Sequence, residues 1–151
     1  MIYLINILDI FNSIIKEFKI CIPKSKHYLG KIEEKISRPS FLYTMVFNKN
    51  DRSSFLLKDT TIDLQIIYFG ETDKSGNESY EDKLTTIKLL EKFLSNFNIQ
   101  VNDRNLKFDY GFGEADEQLT IDIHFKFKDE LVNSVYDEEQ ARQKIEKINI
   151  I

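Results

Sequence analysis

The sequence predicts an α+β domain: an antiparallel or mixed β-sheet containing one long hairpin, with helices packed on one face and an extra C-terminal helix. Three observations carry this. Arg38–Gly70 reads as two extended runs joined by a polar turn. Leu106–Phe112 and Leu119–Lys128 alternate apolar with polar or small residues, the period of a half-buried strand. Residues 3–18 and Ser79–Asn96 repeat apolar residues at helical spacing.

In the first helix Leu4, Leu8, Phe11, Ile15 and Phe18 form a stripe that Ile7 and Ile14 widen. Its polar side holds Asn6, Asp9, Asn12, Ser13, Lys16 and Glu17. A membrane-surface helix would line that side with Lys and Arg. Here Lys16 is the only cation among them, so the stripe is read as core. Lys19–Ile22 is expected to be a short strand stopped by Pro23, with Cys21 a small buried residue in it. Lys24–Gly30 is basic and expected to be a surface loop. Lys31–Ile36 suits one helical turn or a second short strand equally well.

Pro39 biases Arg38 towards an extended backbone and marks the entry to the hairpin. The first strand is Pro39–Phe47, and the expected tip is Asn48–Ser54. Asn, Asp and Ser side chains there can bond their own turn backbone. The second strand is Phe55–Phe69; Ile62, Leu64, Ile66 and Tyr68 point one way, and Thr61, Asp63 and Gln65 the other.

After a loop at Gly70–Asn77, Ser79-Tyr80-Glu81-Asp82 has the form of a capping box. The helix it opens is expected to bury Tyr80, Leu84, Ile87, Leu90 or Glu91, Leu94 and Phe97, with Phe93 adjacent, leaving Lys83, Lys88 and Lys92 outside. Two antiparallel strands follow, joined by a turn at Gly113–Glu117. Their apolar residues Leu119, Ile121, Ile123, Phe125 and Phe127 should share a buried face with Leu64, Ile66, Phe108 and Tyr110. The last helix starts at Asp137 and carries a thin stripe of Ala141, Ile145 and Ile148. The whole is read as one domain, 1–151, with a core over 1–128 and a helical extension over 129–151.

The chain has 151 residues, 42% hydrophobic and 30% charged, enough to bury a core without covalent staples. Its net charge of -4 argues against a specific nucleic-acid partner, since phosphate binding uses an excess of cations. One cysteine excludes an intrachain disulfide. The apolar N-terminus lacks a basic segment and is broken by Asn6, Asp9 and Asn12, so neither a signal peptide nor a membrane partner is expected.

Catalytic patterns are missing. His27 and His124 lie far apart, and no Cys or His spacing suits zinc. There is no glycine-rich phosphate loop and no Gly-x-Ser-x-Gly turn. Glu114, Asp116 and Glu117 cluster in a turn without the spacing of a calcium loop. Neither enzymatic activity nor a cofactor or metal is expected.

The order of elements resembles the tail-terminator (tail-completion) proteins of tailed bacteriophages. The likeness rests on the N-terminal helix and on Ile32–Ser37 leading to Pro39-Ser40-Phe41, although Lys35 stands where the family pattern has Gly. It also rests on the strand Leu64–Phe69 ending in Tyr-Phe, and on the alternating closing strand after a helix. It spans residues 1–128. The resemblance implies a structural protein that forms a homo-oligomeric ring, commonly a hexamer, on the last ring of the tail tube. Such a ring stops tube growth and offers the surface that joins the head. The implied partners are the tail tube protein and sheath, neck or connector proteins. The implied place is the neck end of a virion tail assembled in the host bacterial cytoplasm. The alternatives are another head–tail joining component and a small binding module unrelated to phage. The expected assembly residues are Lys49, Asn50, Asp51, Arg52 and Ser53 at the hairpin tip, and Ala141, Ile145 and Ile148 in the last helix.

Overall fold

A computed structural model describes residues 5–32 and 35–130. Helix α1 spans Ile7–Cys21 and buries Ile10, Phe11, Ile14 and Phe18. Asn6 caps it, its side-chain oxygen accepting from the Leu8 N–H at 2.9 Å. The helix takes in Lys19, Ile20 and Cys21, where a short strand was expected. Ile20 lies on its solvent side, and the last helical bond runs from the Ile22 N–H to the Phe18 carbonyl at 2.9 Å. Pro23 follows and cannot extend the ladder. Cys21 is half-buried at the helix end, its thiol pKa raised foremost by desolvation.

Strand β1, Lys26–Leu29, replaces the expected loop and pairs parallel with the start of β2. It sits at the rim of the sheet, where exposed Lys26 and a weak apolar pattern are tolerated. Strands β2 (Ser40–Arg52) and β3 (Leu57–Phe69) form the long hairpin. The strand continues through Asn48–Arg52, part of the expected tip. Register explains this: each of those residues faces a β3 partner, from Asn48 opposite Ile62 to Arg52 opposite Lys58. The turn is confined to residues 53–56. A bulge between Met45 and Phe47 breaks the register.

Helix α2 spans Tyr80–Leu94. The Asp82 N–H donates to the Ser79 hydroxyl at 3.2 Å, one half of the expected box. Its buried residues are Lys83, Thr86, Leu90, Phe93 and Leu94, while Tyr80, Leu84 and Phe97 are exposed. The face is therefore rotated from the one expected. Leu90, Phe93 and Leu94 fix the orientation, and stepping back by helical spacing from Leu90 reaches Thr86 and Lys83. Lys83 lays its stem along the core and pairs its ammonium with Glu114 at 3.4 Å.

Strands β4 (Asn98–Val101), β5 (Arg104–Ala115) and β6 (Gln118–Glu130) complete a six-stranded sheet of order β1-β2-β3-β6-β5-β4. The β1–β2 pair is parallel and every other pair antiparallel, so the sheet is mixed. Strand β4 was not expected; it has only Ile99 and Val101 to show an alternation. Asp116 and Glu117 both have positive φ and close β5 to β6 as a two-residue hairpin turn. The inward residues of the strands and the buried residues of both helices form one apolar cluster. Leu64, Ile66, Phe108, Leu119, Ile121, Ile123 and Phe125 are buried as expected, and Tyr110 and Phe127 pack partly buried at its margin. The expected helix after Asp137, with Ala141, Ile145 and Ile148, lies outside the described residues.

Two polar contacts fasten the ends of β2 and β3. A Cβ on Gly70 would come within 2.3 Å of Asp82 Oδ2 and 2.6 Å of the Tyr68 ring, so only glycine fits. Asp82 accepts from the Tyr68 hydroxyl at 2.8 Å and from the Glu71 N–H at 3.1 Å, which holds the strand exit against α2. Gly70→Ala is expected to lower the thermal midpoint by a destabilisation of about 1–3 kcal/mol, measured by denaturant or heat melts.

At the other strand, His27 Nδ1 lies 2.7 Å from the Tyr43 hydroxyl and Nε2 3.0 Å from the Ser25 hydroxyl. Ser25 donates its proton to the Ile22 carbonyl at 2.7 Å, so it accepts from Nε2–H, and Nδ1 accepts from Tyr43. The ring stacks on Phe41 and Tyr43. This relay needs a neutral imidazole, and desolvation, with Lys19 adding to it, lowers the His27 pKa to about 4. Between that value and the ordinary 6.5 the unfolded chain binds a proton that the folded chain refuses. Stability from this source is complete above about pH 6.5 and falls as pH drops towards 4. Thermal melts of the wild type should lose midpoint across that window, and His27→Gln should flatten the loss.

Candidate assembly surface

The outer part of the hairpin leaves the apolar core. From Met45 to Phe55 every residue of β2 and the turn is exposed, while β3 stays paired with β6 from Leu57 to Tyr68. The exposed part is thus one margin of a continuous sheet, and no free arm. Lys49, Asn50, Asp51 and Arg52 lie on the last stretch of β2 and Ser53 begins the turn. The structure brings these five together. Ala141, Ile145 and Ile148 lie outside the described residues.

Local bonds hold this end in shape. Thr60 donates to Asn50 at 2.8 Å, and Asn50 donates to Asn48 at 3.2 Å. Lys128 reaches across from β6 to Asp59 at 2.9 Å and to the Ser53 hydroxyl at 3.2 Å. Lys49 and Asp51 pair at 3.6 Å, exposed and therefore weak. The turn closes through Ser53 and Ser54 N–H groups donating to the Leu57 carbonyl. The Ser54 hydroxyl accepts from the Leu57 N–H at 3.1 Å, as Ser does in such turns.

Beneath this end the core gives way to buried charge. Asp129 accepts from the Ile5 N–H at 2.8 Å and pairs with Arg104 at 3.3 Å. Arg104 also donates to the Lys128 carbonyl and sits 5.4 Å from the Phe127 ring centroid. Neither residue was singled out in the sequence. The one signal was an aspartate at an inward position of an otherwise strict alternation. Met45, Val46 and Phe47 add exposed apolar surface at the bulge.

The sheet's outward side is polar. His124 sits there, as its place in the alternation requires, and its Nδ1 is bonded to Asp63. Asp109 faces His124 from β5, so the three form one cross-strand row. This row lies in an open groove of about 370 Å³, which Val46, Gln65, Gly111 and Asp122 also line. Among the described residues no group of His, Cys, Asp and Glu is placed to hold a metal ion. No described helix is long and apolar enough to cross a membrane.

A comparison with protein families matches residues 9–140 to the model described as phage tail terminator protein. The match takes in α1 from Asp9 onwards, α2 and, among the described residues, all six strands. A search of curated proteins finds no match. With its family model matched across most of its length, this chain belongs to the phage tail terminator family, a family of structural proteins of the phage tail.

Proposed function

We propose that this protein forms a ring on the last ring of the tail tube, stops tube growth and presents the surface to which the head is joined. The observation that carries the reading is the family match over residues 9–140. The geometry supports it: the sheet runs past its core into exposed, apolar and charged margin, which is surface for partners and of little use to an isolated subunit. The ring is a homo-oligomer, with a hexamer the expected number. Its neighbours are the tail tube protein on one side and a neck, connector or sheath protein on the other. It works at the neck end of the virion tail, after assembly in the host cytoplasm. DNA passes through such a ring, and the net charge of -4 suits a passage that does not hold phosphates.

In this reading the chain is one domain. Both helices and a further helix after Asp137 cover one face of the sheet, and residues 129–151 extend the core. The end of β2, Lys49 to Arg52, with Ser53, contacts the tube or a neighbouring subunit. Ala141, Ile145 and Ile148 dock on the subunit's own domain or on an adjacent protein. A ring has head-to-tail interfaces, so each subunit presents two different surfaces. Modest pairwise affinity is enough when several contacts act together on a template.

The test is charge reversal at the exposed end of β2. Lys49→Glu/Arg52→Glu should leave the thermal midpoint within the scatter of surface substitutions, about 0.5 kcal/mol in stability. In a tube-assembly reaction it should fail to cap, giving tubes longer than the wild-type length by electron microscopy. Wild-type tube lengths with this variant would remove the hairpin end from the function.

A further inference from the structure

The two margins of the sheet are stepped. Strand β1 covers β2 only over Ser40–Tyr43, and the Gly30 N–H adds a last bond to the Tyr43 carbonyl at 2.8 Å. From Thr44 to Arg52 no strand among the described residues lies on the outer side of β2. At the far margin β4 covers β5 over Arg104–Lys107, and the Phe108 N–H donates to the Phe97 carbonyl at 2.9 Å. From Asp109 to Ala115 the outer side of β5 is likewise without a strand among the described residues.

The registers put these steps at opposite ends of the sheet. Strand β1 lies at the end where Tyr68, Leu119 and Glu114 share a row. Strand β4 lies at the end where Lys58 meets Asp129. Alternate antiparallel pairs from β2 through β3 and β6 to β5 give β2 and β5 opposite directions. A second copy, turned so that its strands keep their sense, therefore presents its β5 margin to the first copy's β2 margin, and the steps fit. Strand β1 of one copy falls beside the open run of β5 in the next. Strand β4 of the next falls beside the open run of β2 in the first.

Three features favour this occupant. Open strand margins template pairing with further strands, and stable proteins cover them. A foreign strand would cover one margin and leave the other open, whereas copies in a closed ring cover both. Charge is matched at the same height: Lys26 in β1 comes beside the turn of Asp116 and Glu117 at the end of β5. No packing among the described residues calls for glycine at Gly111, since a Cβ there would meet none of them within 4 Å. Glycine within a strand commonly marks the close approach of another backbone. Exposed Leu29 and Phe97 stand at the inner corners of the two steps and would be covered together.

We propose that successive copies of this chain join margin to margin, the β1 step of one against the open run of β5 in the next, so that one sheet continues around the assembly. This rests on the ring reading above and names the surfaces that close it. The test uses Lys26→Cys and Ala115→Cys, two exposed positions, in a Cys21→Ser background. In one chain β2, β3 and β6 lie between them, which excludes a disulfide within the subunit. Under mild oxidation with isolated tail tubes present, the double variant should give a ladder of linked oligomers. An equal mixture of the two single variants should stop at linked dimers, and each single variant alone should stay unlinked. An oligomer by light scattering that yields no links, or a Lys26→Cys variant that links to itself, overturns the margin pairing and leaves the ring standing. No links is also the result if a segment of the same chain covers the open run of β5. A chain that stays monomeric in the presence of tubes overturns both readings.

Discussion

The ring of Phe18 is the contact on which the other elements depend. Fully buried on the last turns of α1, it meets Phe41 at 5.2 Å and Tyr43 at 5.9 Å on β2, and Phe93 at 6.3 Å on α2. From there the chain of rings passes through Phe93 to Phe108 on β5, 5.7 Å away, and on to Phe125 on β6 at 5.6 Å. Such edge-on and tilted pairs add to the area they bury. One residue thus couples both helices to both halves of the sheet. A helix of this length is marginal in water, so α1 exists because its apolar stripe has this aromatic floor to lie on.

The core is shorter than the sheet. Inward apolar residues continue along β3 and β6 to Ile62 and Phe125, and beyond them the inward positions are Thr60, Phe127 and Asp129. There the structure turns from apolar packing to bonded polar groups. Asp129, with its ion pair to Arg104 and its backbone donor from Ile5, ties the ends of three segments at the margin of the apolar core. Asp129 itself is buried, whereas Arg104 is half-buried and keeps a second bond, to the Lys128 carbonyl. The exposed end of β2 is consequently carried on a stiff support. A preformed margin keeps the ordering cost of any association low.

Much of this was legible in the sequence, for local reasons. Strict alternation in Ile62–Tyr68 and Leu119–Phe125 dictated which side chains face inward, because a strand has period two whatever its neighbours are. Of the stripe expected in α1, Phe11, Ile14 and Phe18 are buried, while Leu8 is exposed and Ile10, outside that stripe, is buried; Ser79 with Asp82 marked where α2 begins. The likeness to tail terminators rested on the order of these elements, and that order survives.

The tertiary structure alone decided the remainder. Lys26–Leu29 and Asn98–Val101 became strands because partners at the sheet margins supply their backbone bonds, and so short a segment carries too few residues to show a period. Asn48–Arg52 stayed extended because β3, itself paired with β6, offers a ladder; its polar composition alone reads as a turn. The rotation of α2 was set by Leu90 and Leu94 in the apolar cluster and by Phe93, which meets Phe18 on α1 and Phe108 on β5; this put Lys83 inside and Tyr80 outside. His27 was drawn from an apparent loop into a relay with Tyr43, a residue 16 positions away. Periodicity is a property of one segment, whereas pairing, margin and relay are properties of two segments brought together by a third.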